Sequence, residues 1–172
     1  MKALVVSDNH GNRQILSQIV NEWQGQVDLM IHCGDSEIDS TDSLMKNFVG
    51  VAGNNDWHLG YPGDQVIEKA GQHFFITHGH HYRVNFTMTP LVLKGASTGA
   101  DVICYGHTHQ LGAMVDHGML VINPGSISLP RGPYRDIGGT FAVIDADPHA
   151  FVVDFYDRQM HRVPDLHVEF SR

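Results

Sequence analysis

Short apolar runs at residues 3–6, 29–33, 48–52, 74–77 and 102–105 recur along the chain, and each ends abruptly in a polar cluster. Runs of this length bounded by turn residues predict buried strands. Between the first two, residues 12–23 carry Ile15, Leu16, Ile19, Val20 and Trp23, the spacing of one helical stripe, and Gln24-Gly25-Gln26 ends it. The cap-forming residues of Asp39-Ser40-Thr41-Asp42-Ser43 predict a short helix covering Leu44 and Met45. Strands alternating with helices imply right-handed crossovers and a largely parallel arrangement in this half.

The second half changes character. Residues 65–69 and 73–77 read as strands turned at Ala70-Gly71, and 88–97 as a helix with Pro90 in its first turn and Gly99 beyond its end. Short strands then dominate, at 113–116 and 120–122 around His117-Gly118, and at 140–145 and 151–156 around Ala146-Asp147-Pro148. The tail after Arg158 reads as a final edge strand or an interface element. No repeat or linker divides the chain. The expectation is an α/β fold over residues 1–172 as a single domain: two packed, mostly mixed sheets flanked by helices.

Composition narrows the function classes. The chain has 172 residues, 42% hydrophobic and 17% charged, as an ordinary globular domain does. Net charge is −8 with only 11 Lys and Arg, so clustered cation for counterion release on a long nucleic acid is missing. A small phosphate ester is still allowed, because bound metal would supply the positive charge. Cys33 and Cys104 sit inside apolar runs and read as buried reduced thiols. The start of the chain passes directly into a strand without signal-peptide architecture, and no run approaches a membrane span, which predicts a cytoplasmic protein that does not engage membranes.

The polar clusters carry the chemistry. They are Asp8-Asn9-His10, Gly34-Asp35, Gly53-Asn54-Asn55-Asp56, His78-Gly79-His80 and Gly106-His107-Thr108-His109, each following a strand-like run. Open α/β sheets place their ligand crevice at such strand ends. Carboxylate, amide and imidazole together suit a divalent transition metal. Asp8 and His10, two apart in an extended exit from the first strand, would face one side, as would His107 and His109. Seven candidate ligands, Asp8, His10, Asp35, Asn54, His78, His107 and His109, exceed the need of one ion and suffice for two that share Asp35. Such a pair lowers the pKa of a shared water and clamps phosphoryl oxygens.

In this order the clusters resemble the D-x-H, GD, GN, H and GH-x-H pattern of the calcineurin-like metallophosphoesterases. Thr77-His78-Gly79-His80 and Asn123-Pro124-Gly125-Ser126 resemble the small prokaryotic phosphodiesterase branch of that superfamily. The resemblance implies a four-layer α/β/β/α sandwich. It places one ion on Asp8, His10, Asp35 and His109, and the other on Asp35, Asn54, His78 and His107. It implies in-line attack on a phosphodiester by a hydroxide bridging the ions, with Asp35, Asn54 and His80 as the catalytic candidates. Larger members have a histidine after the motif asparagine that protonates the leaving group; here Asn55 stands there, and an amide is no general acid. Either a nearby imidazole (His80 or His58) replaces it, or the substrate carries an activated alcohol that departs without one. Asn55, His80, Ser126 and Arg131 are the candidate substrate contacts. Manganese is the expected ion, with iron, nickel and zinc also suited to these donors.

Other readings stay open at this point. The same superfamily includes a retromer-type interaction scaffold with a degraded metal site, and phosphomonoesterase or small-nucleotide activity belongs to the same reaction class. A homo-oligomer is compatible with the sequence. Among the other histidines, His32 reads as a hydrogen-bonded core residue, while His73, His117, His149, His161 and His167 read as solvated. His58, His80 and His81 follow ligand clusters and are candidates for the pocket. Asp56 is a candidate to orient a ligand imidazole.

Overall fold

Strand β1 (Lys2–Val6) shows how the layers arise. Its alternate residues Ala3 and Val5 enter a core shared with Phe74, Ile76, Val102 and Ile122, whereas Leu4 and Val6 pack with Ile15, Leu16 and Ile19. The period of two thus sends one face toward a second sheet and the other toward a helix. In the computed structural model, which describes residues 1–172, the order continues as α1 (Arg13–Trp23), β2 (Leu29–His32), β3 (Val49–Gly50), β4 (Asp64–Lys69), β5 (Gln72–Thr77) and α2 (Thr89–Ser97). It ends with β6 (Val102–Cys104), β7 (Gly112–Asp116), β8 (Met119–Asn123), β9 (Thr140–Ala146), β10 (Ala150–Asp157) and β11 (Arg162–Ser171).

Two mixed sheets result, ordered β11-β10-β9-β1-β2-β3 and β4-β5-β6-β8-β7. The second has a parallel centre, β5-β6-β8, between antiparallel flanks, whereas in the first the parallel strands β1-β2-β3 form one edge and β9, β10 and β11 continue antiparallel. Helix α1 covers the outer face of the first sheet through Ile15, Leu16, Ile19 and Val20, each contributing about 1.5–3 kcal/mol by burial. Its start is capped by Asn12, which accepts from the Ile15 N–H at 3.3 Å. Helix α2 covers the second sheet through Leu91 and Val92 against Phe75, Ile103 and Val121. The α/β/β/α sandwich expected from the sequence is therefore the observed one.

Two local expectations are corrected. Residues 39–44 form turns, and only Met45–Asn47 closes a single 3₁₀ turn. Asp39 accepts from the N–H and hydroxyl of Thr41, and Asp42 accepts from the Leu44 N–H and the Arg13 guanidinium, so the cap-type side chains fasten turns rather than start a helix. The third strand shortens to Val49–Gly50 because Ala52 donates its N–H to the Pro62 carbonyl and leaves the ladder. The tail resolves as the edge strand β11, paired with β10. No helix is long and apolar enough to cross a membrane.

Candidate metal centre

The parallel strands of both sheets end at one rim, and the five polar clusters leave from there. Past β1 and β2 the backbones stay zipped together: the N–H of Asp8, His10 and Gly11 donates to the carbonyls of Gly34, Asp35 and Ser36 at 3.0–3.1 Å. The exits are not extended, as the spacing had suggested. Asp8, His10, Asp35, His107 and His109 all have φ between 45° and 66°, the left-handed region. Asp and His tolerate this region better than other residues with a Cβ, yet each instance costs about 1–3 kcal/mol that the surroundings must offset. The curl keeps Asp8 with His10, and His107 with His109, turned toward a single pocket.

Two glycines of the clusters are needed for close approach. A Cβ at Gly53 would collide with the Asp35 carboxylate, and one at Gly106 with the Ser7 hydroxyl and the Asp8 carboxylate. Asn123, at the end of β8, pins the His107-Thr108-His109 loop by donating to the Gly106 carbonyl and to Thr108 Oγ1.

Ligand atoms from distant segments converge. Asp8, His10 and His109 form one group, and Asp8, Asp35 and His78 a second, with the atoms of each group within 4.8 Å of one another. His109 Nε2 lies 3.2 Å and His78 Nε2 3.9 Å from Asp8 Oδ1, and Asp35 Oδ2 lies 3.6 Å from His78 Nε2. Asn54 Oδ1 is 3.2 Å from His78 Nε2. His107 falls outside both groups, but its ring centroid is 5.1 Å from that of His78. The carboxylate common to these two groups is Asp8, and Asp35 belongs to the second. Asn55 holds Asp35, its N–H and side-chain amide donating to the two carboxylate oxygens at 2.8 and 3.1 Å.

The electrostatics fit cations. Asp8 is fully buried, and its Oδ1 accepts no hydrogen bond from the chain. Burial alone would raise its pKa, but the imidazoles of His109 and His78 and the Ser7 hydroxyl hold it below the ordinary carboxylate value. Asp35 moves the other way: burial raises it, and the charges of Asp8 and Asp56 add to that against His78 and the Asn55 N–H. Burial and then His78 lower the pKa of His107, and Asp8 raises that of His109 against burial. A buried acceptor without a donor, a crowded carboxylate pair and imidazoles turned toward them are the donor set that divalent ions take.

Each ligand ring is held from behind. His78 Nδ1 lies 2.7 Å from the Cys33 carbonyl, His109 Nδ1 2.8 Å from the Leu129 carbonyl, and His10 Nδ1 2.9 Å from Glu37 Oε1. His107 Nε2 lies 2.9 Å from Asn85 Nδ2. These contacts leave His78, His109 and His10 with Nε2 inward, and His107 with Nδ1 free. Glu37 and Asn85 escaped the sequence reading, since isolated polar residues in loops carry no periodic signal. Asp56 does not orient an imidazole: its carboxylate accepts from the N–H of Ser36, Glu37 and Gly53 and locks the two ligand loops together.

The remaining candidates separate clearly. Ser126 is not a substrate contact; it is fully buried, its hydroxyl donates to the Asp8 carbonyl and accepts from the N–H of Ser128 and Leu129. Asn55 spends its amide on Asp35 and Glu37 rather than facing a substrate. Arg131 is exposed, and its charge reaches His107 and His109. His80 stacks near His78 at 5.3 Å between ring centroids, and burial followed by His78, His81 and His107 pushes its pKa down to about 4. His32 is a core residue, its Nε2 2.8 Å from Asn9 Oδ1. Both cysteines are buried free thiols.

Known proteins share this fold. Residues 1–148 match the calcineurin-like phosphoesterase superfamily domain. YsnB of Bacillus subtilis, named a probable metallophosphoesterase, is 35% identical over 166 residues, covering 96% of each chain. A phosphodiesterase of Methanocaldococcus jannaschii is 31% identical over 144 residues, 73% of this chain and 83% of its own. A predicted phosphoesterase from Streptococcus pneumoniae superposes with a TM-score of 0.95 at 36% identity, over 99% of this chain and 97% of its own. Vps29 from Entamoeba histolytica, solved with zinc, shares the fold at a TM-score of 0.74 and 19% identity, over 99% of both chains. Sandwich, converging donors and relatives agree, and the chain belongs to the calcineurin-like phosphoesterase superfamily.

Proposed function

We propose that the protein is a dinuclear metal-dependent phosphodiesterase acting on a small phosphate ester. The observation that carries this reading is the pair of ligand groups meeting at Asp8, whose buried Oδ1 has no donor within the chain. Asp8, His10, Asp35 and His109 would hold one ion, and Asp35, Asn54, His78 and His107 the other, with Asp8 placed to reach both. When bound, two divalent cations supply Lewis acidity to the phosphoryl oxygens and lower the pKa of the attacking water.

The chain's own groups do the rest. The carbonyls behind His78 and His109 and the carboxylate behind His10 fix ring orientation before substrate arrives. Arg131, free at the surface beside the histidine loop, has the fork geometry to receive a phosphate oxygen. No residue at position 55 can give a proton, because the Asn55 amide is committed to Asp35 and Glu37. His80, with its pKa near 4, holds no proton at neutral pH. The favoured substrate is therefore a diester whose alcohol leaves without proton help. The intact set of seven ligands speaks against the scaffold reading, and the acidic net charge against a long nucleic acid.

The test is turnover of metal-stripped protein restored with manganese, iron, nickel or zinc, on bis(p-nitrophenyl) phosphate and on an alkyl phosphomonoester. Diester turnover dependent on added ion, with manganese foremost and at least about tenfold above the monoester, is expected. Equal or faster monoester turnover would overturn the diester assignment.

A further inference from the structure

Next to the metal centre, on the side of the Asn54 loop, lies a cavity of about 490 Å³. Asn54 belongs to both: its Oδ1 lies 3.2 Å from the ligand nitrogen of His78, and the residue also lines the cavity. A group attached to a phosphorus at the centre thus reaches the cavity within the span of one side chain. The volume is within the range of small-molecule sites and larger than a methyl or ethyl ester needs.

Its walls are rings. Trp57 stands 76% exposed at the edge, a degree that among large apolar side chains only Phe86 exceeds. Tyr61, His58, His80 and His81 complete the lining, with the rings of His80 and His81 at 3.9 Å. A tryptophan face open to solvent beside a reaction centre is costly unless something covers it. The polar groups of the cavity do not call for a charged occupant. Asp56, which also borders it, has its carboxylate filled by three N–H groups, and the Tyr61 hydroxyl donates to the Ile38 carbonyl at 2.8 Å. Imidazole edges are what is left, and they suit the heteroatoms of a neutral ring. Gly60 and Gly63 bring bare backbone to the same wall, and a Cβ on Gly63 would meet nothing within 4 Å.

We propose that this cavity binds a planar, uncharged ring carried on one ester oxygen of the substrate, a nucleoside or an aryl group, with Trp57 as its stacking face. The inference rests on the phosphodiesterase reading and adds the substrate class. It is tested with three diesters that share a p-nitrophenyl leaving group and differ in the other substituent: methyl, phenyl and thymidine. In the ion-restored protein the phenyl or thymidine ester is expected to exceed the methyl ester by about tenfold in kcat/KM through a lower KM. Whichever ring gains more identifies the source. Trp57→Ala should bring that ratio toward one, and Trp57→Phe should keep most of it, since Trp57 is exposed and its loss leaves the fold intact.

A ratio near one in the native protein, or a ratio untouched by Trp57→Ala, overturns the ring site while leaving the phosphodiesterase reading standing. If no diester is turned over with any ion, that reading falls, and the site is then judged by fluorescence. Quenching of Trp57 by thymidine 5′-monophosphate beyond that by inorganic phosphate sustains it, and equal quenching overturns it.

Discussion

The two rims of the sandwich obey opposite rules. At the rim where the parallel strands begin, Arg172 donates to Asp101, Gln72 and the Asp147 carbonyl at 2.5–3.0 Å and lies over the Phe151 ring at 4.5 Å. Asp101 also accepts from the His73 N–H, and Asp28 from the Lys2 N–H. Charges there are half-exposed and matched within the chain. At the rim where the strands end, Asp8 Oδ1 and His80 Nδ1 have no partner, and five ligand residues hold left-handed backbone. One end is built to be complete by itself and the other to be completed by something else. Unsatisfied polar groups and left-handed backbone are thus concentrated at the rim of the candidate site, with Trp23 Nε1, Ala70 and His117 the instances at the other end.

The largest effect should come from exchanging Asp35 for Asn. Turnover is expected to fall at least about a thousandfold, with bound metal per chain dropping when measured by elemental analysis. The same variant sharpens the contrast between rims. Burial and the neighbouring carboxylates raise the Asp35 pKa, so its ionised form opposes folding once pH rises above that raised value. Metal-free Asp35→Asn should therefore melt above metal-free native protein, and the order should reverse on adding the activating ion. A lower melting temperature without metal would mean that the rim is not strained by its own charges.

Acid should expose a second liability of the same rim. His32 is buried, and burial lowers its pKa from 6.5 to about 4 despite Asp56 and Asp8. Between those values the unfolded chain takes a proton that the folded chain refuses, so stability falls as pH falls through that window. The loss attributable to this group is up to about 3 kcal/mol. Urea melts of metal-free protein at pH 7 and pH 4.5 should show it, and His32→Asn should flatten the slope whatever its absolute stability. A smaller consequence is expected for Glu37→Gln, which leaves His10 without its carboxylate: metal affinity should weaken by about 10–100-fold, read by competition with a chelator. The smallest belongs to the opposite rim, where Arg172→Ala should cost about 1 kcal/mol in a melt and leave turnover and metal content alone.

Much of this was readable from residues in order. The helix ending at Trp23 and the Ala70-Gly71 hairpin follow from periodicity and turn chemistry, and the seven candidate donors from motif spacing, all of which are local. What escaped depends on pairings across the chain. Asn55 donates to both oxygens of Asp35, twenty residues away in sequence, and Asp8 sits in both donor groups. Ser126 reads as a phosphate contact through its segment's resemblance to the phosphodiesterase branch, whereas contact with Asp8 across the molecule uses up its hydroxyl. The left-handed backbone of Asp8, His10 and Asp35, too, goes with the loop-to-loop ladder from Asp8 to Ser36, a pairing between segments far apart in sequence.

That curled backbone has an evolutionary corollary. A mutation replacing one of the five residues by glycine removes a donor and at the same time relieves torsional tension, which lowers the structural cost of losing it. Only selection for turnover keeps them, and a lineage released from that selection would drift toward a hardier, inert shell.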